Sequence, residues 1–327
     1  MDAVRAFTVS DADYFVGTVA LLNSLHVTGN QVPLTVLDRG LSVAQRALLE
    51  GHCDVVSGGH GRDGYLAKAI APLERDDADM LVLVDSDVLV VRSLSEPLAS
   101  AARGLVYACA ERDGSDRWFA EWSGLLALRA PLRRERGANA GFVVFSRRQV
   151  PGLLERWGAI CDDLAAQATE PGEWQLSKRD RADPLWLVDQ DVLNALLMSE
   201  VPSGRVTLGP DTAMPMVPDA LSETKVVDLE HLACEWRGEP VTVLHAVGLR
   251  KPWQHAAARE LRRTAYLRCL LRVLHGPDVP VRLPDAFLVP WLRSHPIGTA
   301  TRWALQAYEL PARKTRPWRQ RPRARLG

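Results

Sequence analysis

Two aspartates stand at the end of an apolar segment, in the sequence LVLVDSDVLVV at residues 81–91. The four apolar residues before Asp85 predict a strand covered on both faces, as in a parallel sheet. Residues two apart in an extended chain project to the same side, so Asp85 and Asp87 would present paired carboxylates where the strand ends. Such a pair repels itself unless a cation lies between the carboxylates, and a divalent metal is the obvious candidate. A turn with two solvated aspartates is the alternative that this segment alone leaves open.

Length and composition indicate an ordinary globular protein. The chain has 327 residues, of which 47% are hydrophobic and 24% charged, enough for one large α/β domain or two smaller ones. No apolar run approaches the length of a membrane span, and the N-terminus shows no signal peptide. The five cysteines are scattered and form no CxxC pair, which favours reduced thiols in a cytoplasmic protein over a zinc site.

The net charge is zero, but the charge is unevenly distributed. Residues 288–327 contain nine Lys and Arg residues against a single acid, Glu309. A basic segment that also carries Trp and Tyr is typical of a surface that meets an anionic membrane. A disordered, solubilising end is the alternative. The acidic remainder of the chain argues against nucleic acid as a partner.

The sequence predicts strands and helices along the chain, and the two alternate in its first half. Strands are predicted at 4–9, 33–38, 53–56, 81–84, 104–111, 141–146 and 241–245, and helices through Leu25 and at 43–50, 65–74, 148–165, 189–198 and 253–274. Repeated β-α units of this length imply right-handed crossovers and a mostly parallel sheet. Ser42 and Gln45 predict a capping box, and Asp189 is placed to cap the helix that follows it.

Four segments then occur in a recognisable order: DSD at 85–87, NAG at 139–141, DQD at 189–191 and HAVGLRKPW at 245–253. Together they resemble glycosyltransferase family 8, the retaining enzymes of GT-A fold that include bacterial lipooligosaccharide galactosyltransferases and glycogenin. The segment DYFVGTVALLNSL at 13–25 resembles the opening helix of that family. The resemblance implies an α/β catalytic domain over residues 1–255, with a Rossmann-like sheet flanked by helices. Residues 256–327 would then form a helical extension with the basic tail.

The resemblance also implies how the site would work. Asp85, Asp87 and His245 would hold a divalent metal, Mn²⁺ or Mg²⁺. The catalytic side chains that it implies are Gln190, Asp189, Asp191 and Lys251. The metal and the Lys251 ammonium would stabilise the charge on a departing nucleoside diphosphate. Gln190, expected nearest the anomeric carbon, is a poor nucleophile, which favours attack on the face that the diphosphate leaves, with the leaving phosphate accepting the acceptor's proton. Asp189 would bind sugar hydroxyls, and Asp191 would support the loop or the metal site.

Further residues are implied as contacts to a UDP-sugar donor. These nucleotide- and substrate-binding residues are Asp11, Asp13, Tyr14, Lys68, Ser86, Asn139, Gly248 and Lys251. Members of the family often carry Arg in place of Lys68 and Asn in place of Asp13, and Glu111 is a further candidate for donor or acceptor contact. The expected reaction moves a hexose, galactose or glucose, to a glycan or glycolipid acceptor. Lipid-linked acceptors favour the membrane alternative for the basic tail, so we expect a cytoplasmic protein at the inner face of a membrane.

Two other functions stay open at this point. A haloacid-dehalogenase-like phosphatase also has an apolar strand that ends in DxD, although it usually carries Thr or Val where this chain has Leu89. A catalytically silent protein that binds sugar nucleotides would keep the same fold without the chemistry. The complete set of site residues argues against such a loss of activity.

Overall fold

A seven-stranded sheet forms the centre of the computed structural model, which describes residues 3–58, 64–75, 77–111, 117–168, 180–216, 218–248, 251–254, 264–294 and 298–300. The strands of this sheet are β1 (Val4–Ser10), β2 (Leu34–Asp38), β3 (Asp54–Ser57), β4 (Met80–Val84), β6 (Val106–Ala110), β7 (Ala138–Ser146) and β8 (Val206–Gly209). Their spatial order is β3-β2-β1-β4-β7-β6-β8. Strand β7 is antiparallel to β4 and β6, and the other neighbouring pairs are parallel. The predicted α/β class with a mostly parallel sheet is confirmed.

Helices flank this sheet. The α-helices are α1 (Phe15–Val27), α2 (Val43–Glu50), α3 (Ser95–Ala102), α4 (Trp122–Leu125), α5 (Leu153–Gln167), α6 (Asp189–Leu197), α7 (Pro218–Glu223) and α8 (Ala265–His275). Short 3₁₀ helices lie at Gly64–Ala67, Ala71–Glu74, Ser203–Arg205, Asp285–Phe287 and Pro290–Leu292. The core cluster joins the sheet to α5 and α6, with Phe145, Trp157 and Leu193 completely buried in it. Removal of these apolar side chains from water is the main force that holds the layers together.

Two short strands outside the large sheet decide where the site lies. Strand β5 (Val88–Val90) begins directly after the DSD turn and pairs antiparallel with β12 (Val243–His245), so that Val88 lies opposite His245. The end of β12 is therefore held against the turn that follows β4. A separate antiparallel sheet contains β9 (Lys225–Asp228), β10 (Ala233–Trp236) and β11 (Glu239–Pro240).

Of the two predicted helix caps, one is confirmed and the other is wrong. The capping box at the start of α2 is confirmed, because Ser42 accepts the N–H of Gln45 and the Gln45 side chain accepts the N–H of Ser42. The prediction that Asp189 caps its helix is wrong, since Val188 occupies the cap position and Asp189 is the first helical residue. Val188 has φ 44°, a strained conformation for a β-branched residue. The Asp189 carboxylate instead forms an ion pair with Lys68.

Two predicted helices also differ from the structure. The segment 65–74 forms two 3₁₀ turns rather than an α-helix, because Pro72 has no N–H to donate and disfavours helical backbone at the preceding residue. Of the helix predicted at 253–274, the structure describes α8 from Ala265, where Thr264 caps the helix by accepting the N–H of Leu267, while Trp253 and Gln254 are not helical. The part of that prediction at 255–263 lies outside the described residues.

The chain divides into two compact units, Met1–Arg282 and Leu283–Gly327. Helix α8 belongs to the first unit, where Asn23 of α1 donates to the carbonyl oxygens of Val273 and Val281. In the described residues, no helix has both the length and the apolar composition that a membrane span requires. The basic segment 301–327 lies outside the described residues.

Candidate active site

The DSD turn and the end of β12 form a cluster of two carboxylates and one imidazole. Asp87 Oδ1 lies 3.1 Å from His245 Nε2, and Asp85 Oδ2 lies 3.6 Å from the same nitrogen. The second oxygen of each carboxylate is bound to a lysine: Asp85 Oδ1 to Lys68, at 2.7 Å, and Asp87 Oδ2 to Lys251. Each aspartate thus directs one oxygen to a cation of the protein and the other to a common point beside His245.

This common point fits a divalent cation. One ligand atom from each of Asp85, Asp87 and His245 can be chosen so that all lie within 4.8 Å of one another. Two carboxylate oxygens and one imidazole nitrogen suit Mn²⁺ or Mg²⁺ better than a closed tetrahedral zinc site. Among the described residues this is the group of His, Cys, Asp and Glu side chains whose geometry could hold a metal ion.

Asp87 is tightly held on both its side chain and its main chain. Its carbonyl oxygen accepts the hydroxyl of Tyr266 at 2.9 Å and the N–H of Ala246 at 3.2 Å. Burial alone would raise the pKa of the Asp87 carboxyl, but the charges of Lys251 and His245 outweigh it and hold that pKa below its ordinary value. Asp87 is therefore an ionised carboxylate in a fixed position.

Lys68 joins the group of Asp85, Asp87 and His245 to the start of α6. Its ammonium lies 2.7 Å from Asp85 and 2.8 Å from Asp189, and it donates to the carbonyl oxygen of Ala140. Burial alone would lower the pKa of Lys68, but the two aspartates outweigh it and raise that pKa. Burial raises the pKa of Asp189, against the opposing effect of Lys68. Lys68, which was predicted to contact the donor, thus lies between Asp85 and Asp189.

Three of the residues predicted to contact the nucleotide, Asp11, Asp13 and Tyr14, meet at the start of α1. Asp11 Oδ1 accepts the N–H groups of Asp13 and Tyr14, at 2.9 and 3.0 Å. Trp253 donates from its indole to the carbonyl oxygen of Asp13 at 2.6 Å and packs edge-on against the Tyr14 ring. The Lys251 ammonium lies 5.5 Å from the centre of that ring. The KPW segment and the first βα turn therefore form one wall of the site.

Close packing fixes the position of the DSD turn against this wall. A methyl group on Gly17 of α1 would lie 2.3 Å from the Ser86 carbonyl oxygen and 2.4 Å from the Trp253 ring. Only glycine allows this approach of helix and turn. Ser86 is buried, whereas Gly248 is exposed in the loop after His245 with φ +123°, a conformation that favours glycine.

Asn139 and Gln190 lie side by side next to the cluster. Asn139 Oδ1 accepts the N–H of Gly141 at 2.8 Å, and Gln190 Oε1 accepts the N–H of Ala140 at 3.1 Å. Both side-chain amides donate to Glu111 Oε2, from Asn139 at 3.0 Å and from Gln190 at 2.7 Å. The structure thus brings the NAG and DQD segments together through one carboxylate oxygen.

Asp191 is placed differently from the other acids. It has no exposed surface, and its two oxygens receive the Nε and Nη2 groups of Arg117, each at 2.9 Å. Its Oδ2 also accepts the N–H of Leu187. The Arg117 guanidinium lies 4.9 Å from the centre of the Phe119 ring and 5.5 Å from that of Trp186. Asp191 therefore ties two loops to the start of α6, and its carboxylate oxygens bind Arg117 and Leu187 rather than His245 or Lys68.

Three residues of the site have roles that their sequence context did not indicate. Glu111 follows β6 and carried only a general expectation of substrate contact. Arg117 and Tyr266 stand in segments without a motif, and their partners lie on distant parts of the chain. The one local signal is the position of Glu111 at the carboxyl end of a strand, where open α/β sheets place their ligands.

The fold is of the GT-A type. No family model and no curated protein sequence matches the chain. The chain resembles the solved structure of WbbM, a bifunctional glycosyltransferase, in its apo form, with a TM-score of 0.53 and 18% identity over 85% of this chain and 50% of that one. It also resembles the galactosyltransferase LgtC in complex with donor and acceptor sugar analogues, with a TM-score of 0.51 and 17% identity over 84% of this chain and 98% of that one.

These matches show the fold. The chain spans half the length of the WbbM structure and nearly all of LgtC. The expected GT-A architecture is therefore confirmed, and the structures that share it are glycosyltransferases. A fold alone does not define a reaction, so the activity has to be argued from the site.

Proposed function

We propose that this protein is a divalent-metal-dependent, retaining glycosyltransferase that moves a hexose, galactose or glucose, from a UDP-sugar to a hydroxyl group of a glycan or glycolipid. The observation that supports the proposal most strongly is the arrangement of Asp85, Asp87 and His245. Their free ligand atoms converge on one point, while Lys68 and Lys251 bind the remaining carboxylate oxygens. A diphosphate needs such a combination of a metal ion and ammonium groups.

In the proposed reaction, each part of the site has one task. A bound Mn²⁺ or Mg²⁺ would supply positive charge to the diphosphate oxygens. Lys251 would stabilise the charge that develops on the leaving diphosphate, and the wall around Tyr14 would bind the base. Asp189 and Asn139 would bind sugar hydroxyls next to Gln190. An amide is a poor nucleophile, so the acceptor would attack the face that the diphosphate leaves, and the leaving phosphate would take the acceptor's proton.

The test is calorimetry with UDP, with and without Mn²⁺. We expect metal-dependent UDP binding that falls at least about 100-fold in Asp87→Ala and His245→Ala, because even residues behind a metal ligand cost 10- to 100-fold. Asp163→Ala, at an exposed position of α5, is the matched control and should bind as the wild type does. Equal metal-dependent affinity in all variants would contradict the site assignment.

Hydrolysis assays separate the proposed enzyme from its rivals. Slow hydrolysis of UDP-galactose or UDP-glucose without acceptor, lost in Asp87→Ala, is expected of a transferase. Binding of UDP without any turnover of a panel of UDP-sugars would indicate a silent binding protein. Hydrolysis of an aryl phosphate without UDP binding would indicate a phosphatase.

We propose that the basic tail, residues 288–327, binds the protein to the inner face of a membrane. Its composition favours anionic lipid headgroups as the partner. Full-length protein should co-sediment with phosphatidylglycerol vesicles, lose this binding at high salt, and not bind phosphatidylcholine vesicles. Equal behaviour with both vesicle types would contradict this part of the proposal.

A further inference from the structure

Glu111 accepts hydrogen bonds from two side chains of the proposed donor-sugar site. Its Oε2 atom accepts hydrogen bonds from Asn139 Nδ2 at 3.0 Å and from Gln190 Nε2 at 2.7 Å. Its main-chain N–H donates to the carbonyl oxygen of Gly137 at 2.9 Å, which holds the end of β6 against the start of β7. The backbone of Glu111 is therefore tied to the sheet directly after β6.

The side-chain amides of Asn139 and Gln190 need hydrogen-bond partners to fix which side carries the oxygen and which the nitrogen. The oxygen and nitrogen of an amide side chain have nearly the same shape, so hydrogen-bond partners decide the orientation. Gln190 Oε1 accepts from the N–H of Ala140, and Asn139 Oδ1 accepts from the N–H of Gly141. An ionised Glu111 can only accept, so it binds both amide nitrogens, and together with the N–H groups of Ala140 and Gly141 it excludes the flipped orientation.

From these contacts we infer that Glu111 is a positioning residue, which fixes the side-chain amides of Gln190 and Asn139 toward the donor sugar. The inference rests on the proposed function for its catalytic consequence, while the contacts themselves do not depend on it. A carboxylate at this place has a rival role, as the nucleophile or base of the reaction. The two roles differ in what they require of the side chain, because positioning needs an acceptor oxygen and the rival needs an ionisable one.

Kinetics of Glu111→Gln and Glu111→Ala separate these roles. Gln keeps an acceptor oxygen of the same reach, so a positioning residue predicts that Glu111→Gln retains most of kcat. Glu111→Ala should lower kcat about 100-fold, since misplacement of a reacting group by about 1 Å costs that much, and leave UDP affinity unchanged. Glu121→Ala, at an exposed position, is the matched control and should behave as wild type. Equal loss of kcat in Glu111→Gln and Glu111→Ala, or no loss in Glu111→Ala, would overturn the inference.

A second measurement is independent of turnover. In urea unfolding at equilibrium, Glu111→Ala and Gln190→Ala should be non-additive, because each removes the same hydrogen bond. Glu111→Ala combined with Ala substitution of the distant residue Arg46 should be additive. Coupling between Glu111 and Gln190 without any UDP binding would mean that the proposed function fails while the contact stands. Additive effects of Glu111→Ala and Gln190→Ala would overturn the inference even in an active enzyme.

Discussion

The imidazole of His245 lies directly against the α-carbon of Gly141. A methyl group on Gly141 would be 2.4 Å from the His245 Cε1 atom and 2.8 Å from Nδ1. His245 Nδ1 is buried and has no hydrogen-bond partner among the described residues, so on that side of the ring packing against Gly141 fixes the orientation, while Nε2 lies 3.1 Å from Asp87 Oδ1. The glycine of the NAG segment is therefore part of the support of the candidate metal site.

Substitution of Gly141 should consequently remove metal binding. Gly141→Ala forces the His245 ring away from Asp87, and metal-dependent UDP binding should fall as far as in His245→Ala. Gly204→Ala is the control, because a methyl group there would meet no atom within 4 Å. The measurement is calorimetry with UDP and Mn²⁺. Wild-type affinity in Gly141→Ala would show that the ring does not depend on this contact.

Loss of Lys68 should destabilise the protein through Asp189. Lys68→Met leaves the buried Asp189 carboxylate without its cation, and removal of one partner of a buried pair costs about 3–5 kcal/mol. Lys68→Met with Asp189→Asn removes both charges and should regain much of this free energy of unfolding. Urea unfolding in the presence of a chelator measures both. A double variant no more stable than Lys68→Met would contradict the importance of the pair.

Asp191 should matter for stability more than for metal binding. Asp191→Asn breaks the buried pair with Arg117, and we expect a loss of about 3–5 kcal/mol in the free energy of unfolding. Metal-dependent UDP binding by the folded variant should remain, because Asp191 contacts Arg117 rather than the cluster. The control is Asp163→Asn, at an exposed site of α5. Loss of metal binding with normal stability would instead support the catalytic role expected from the sequence.

Asp38 should contribute an acid-dependent part of the stability. Burial alone would raise the pKa of its carboxyl, but the N–H groups of Gly40 and Leu41 and the Arg46 guanidinium outweigh it and lower that pKa. The folded pKa thus lies below the unfolded value of about 3.9. The contribution is complete above the unfolded pKa and is lost as the pH falls through the folded pKa.

Urea unfolding between about pH 5 and pH 2 tests this dependence, since acid unfolding follows from carboxylates with lowered pKa values. The free energy of unfolding of Asp38→Asn should fall less steeply with acid than that of the wild type. Asn can still accept the N–H groups of Gly40 and Leu41, so the substitution removes chiefly the charge. Parallel profiles for the two proteins would show that Asp38 is not a source of the acid dependence.

The sequence by itself determined those features that depend on neighbours along the chain. The apolar run before Asp85 predicted a buried strand, and Met80–Val84 is one. Ser42 and Gln45 stand three residues apart and predicted a capping box, a feature that depends on the local backbone alone. The order of the DSD, NAG, DQD and KPW segments, which resembles that of glycosyltransferase family 8, indicates the GT-A fold.

Only the tertiary structure decided which side chains share a partner. The register of β5 with β12 places His245 beside Asp87, and nothing near either residue in the sequence encodes that register. The capping role predicted for Asp189 failed because Lys68, distant along the chain, offers a buried carboxylate a stronger partner than the end of its own helix. Glu111 acquired its two amide donors in the same way, since hydrogen bonds between side chains depend on distance in space. The residue types therefore specified the chemistry, and the packing of distant segments specified which of them act together.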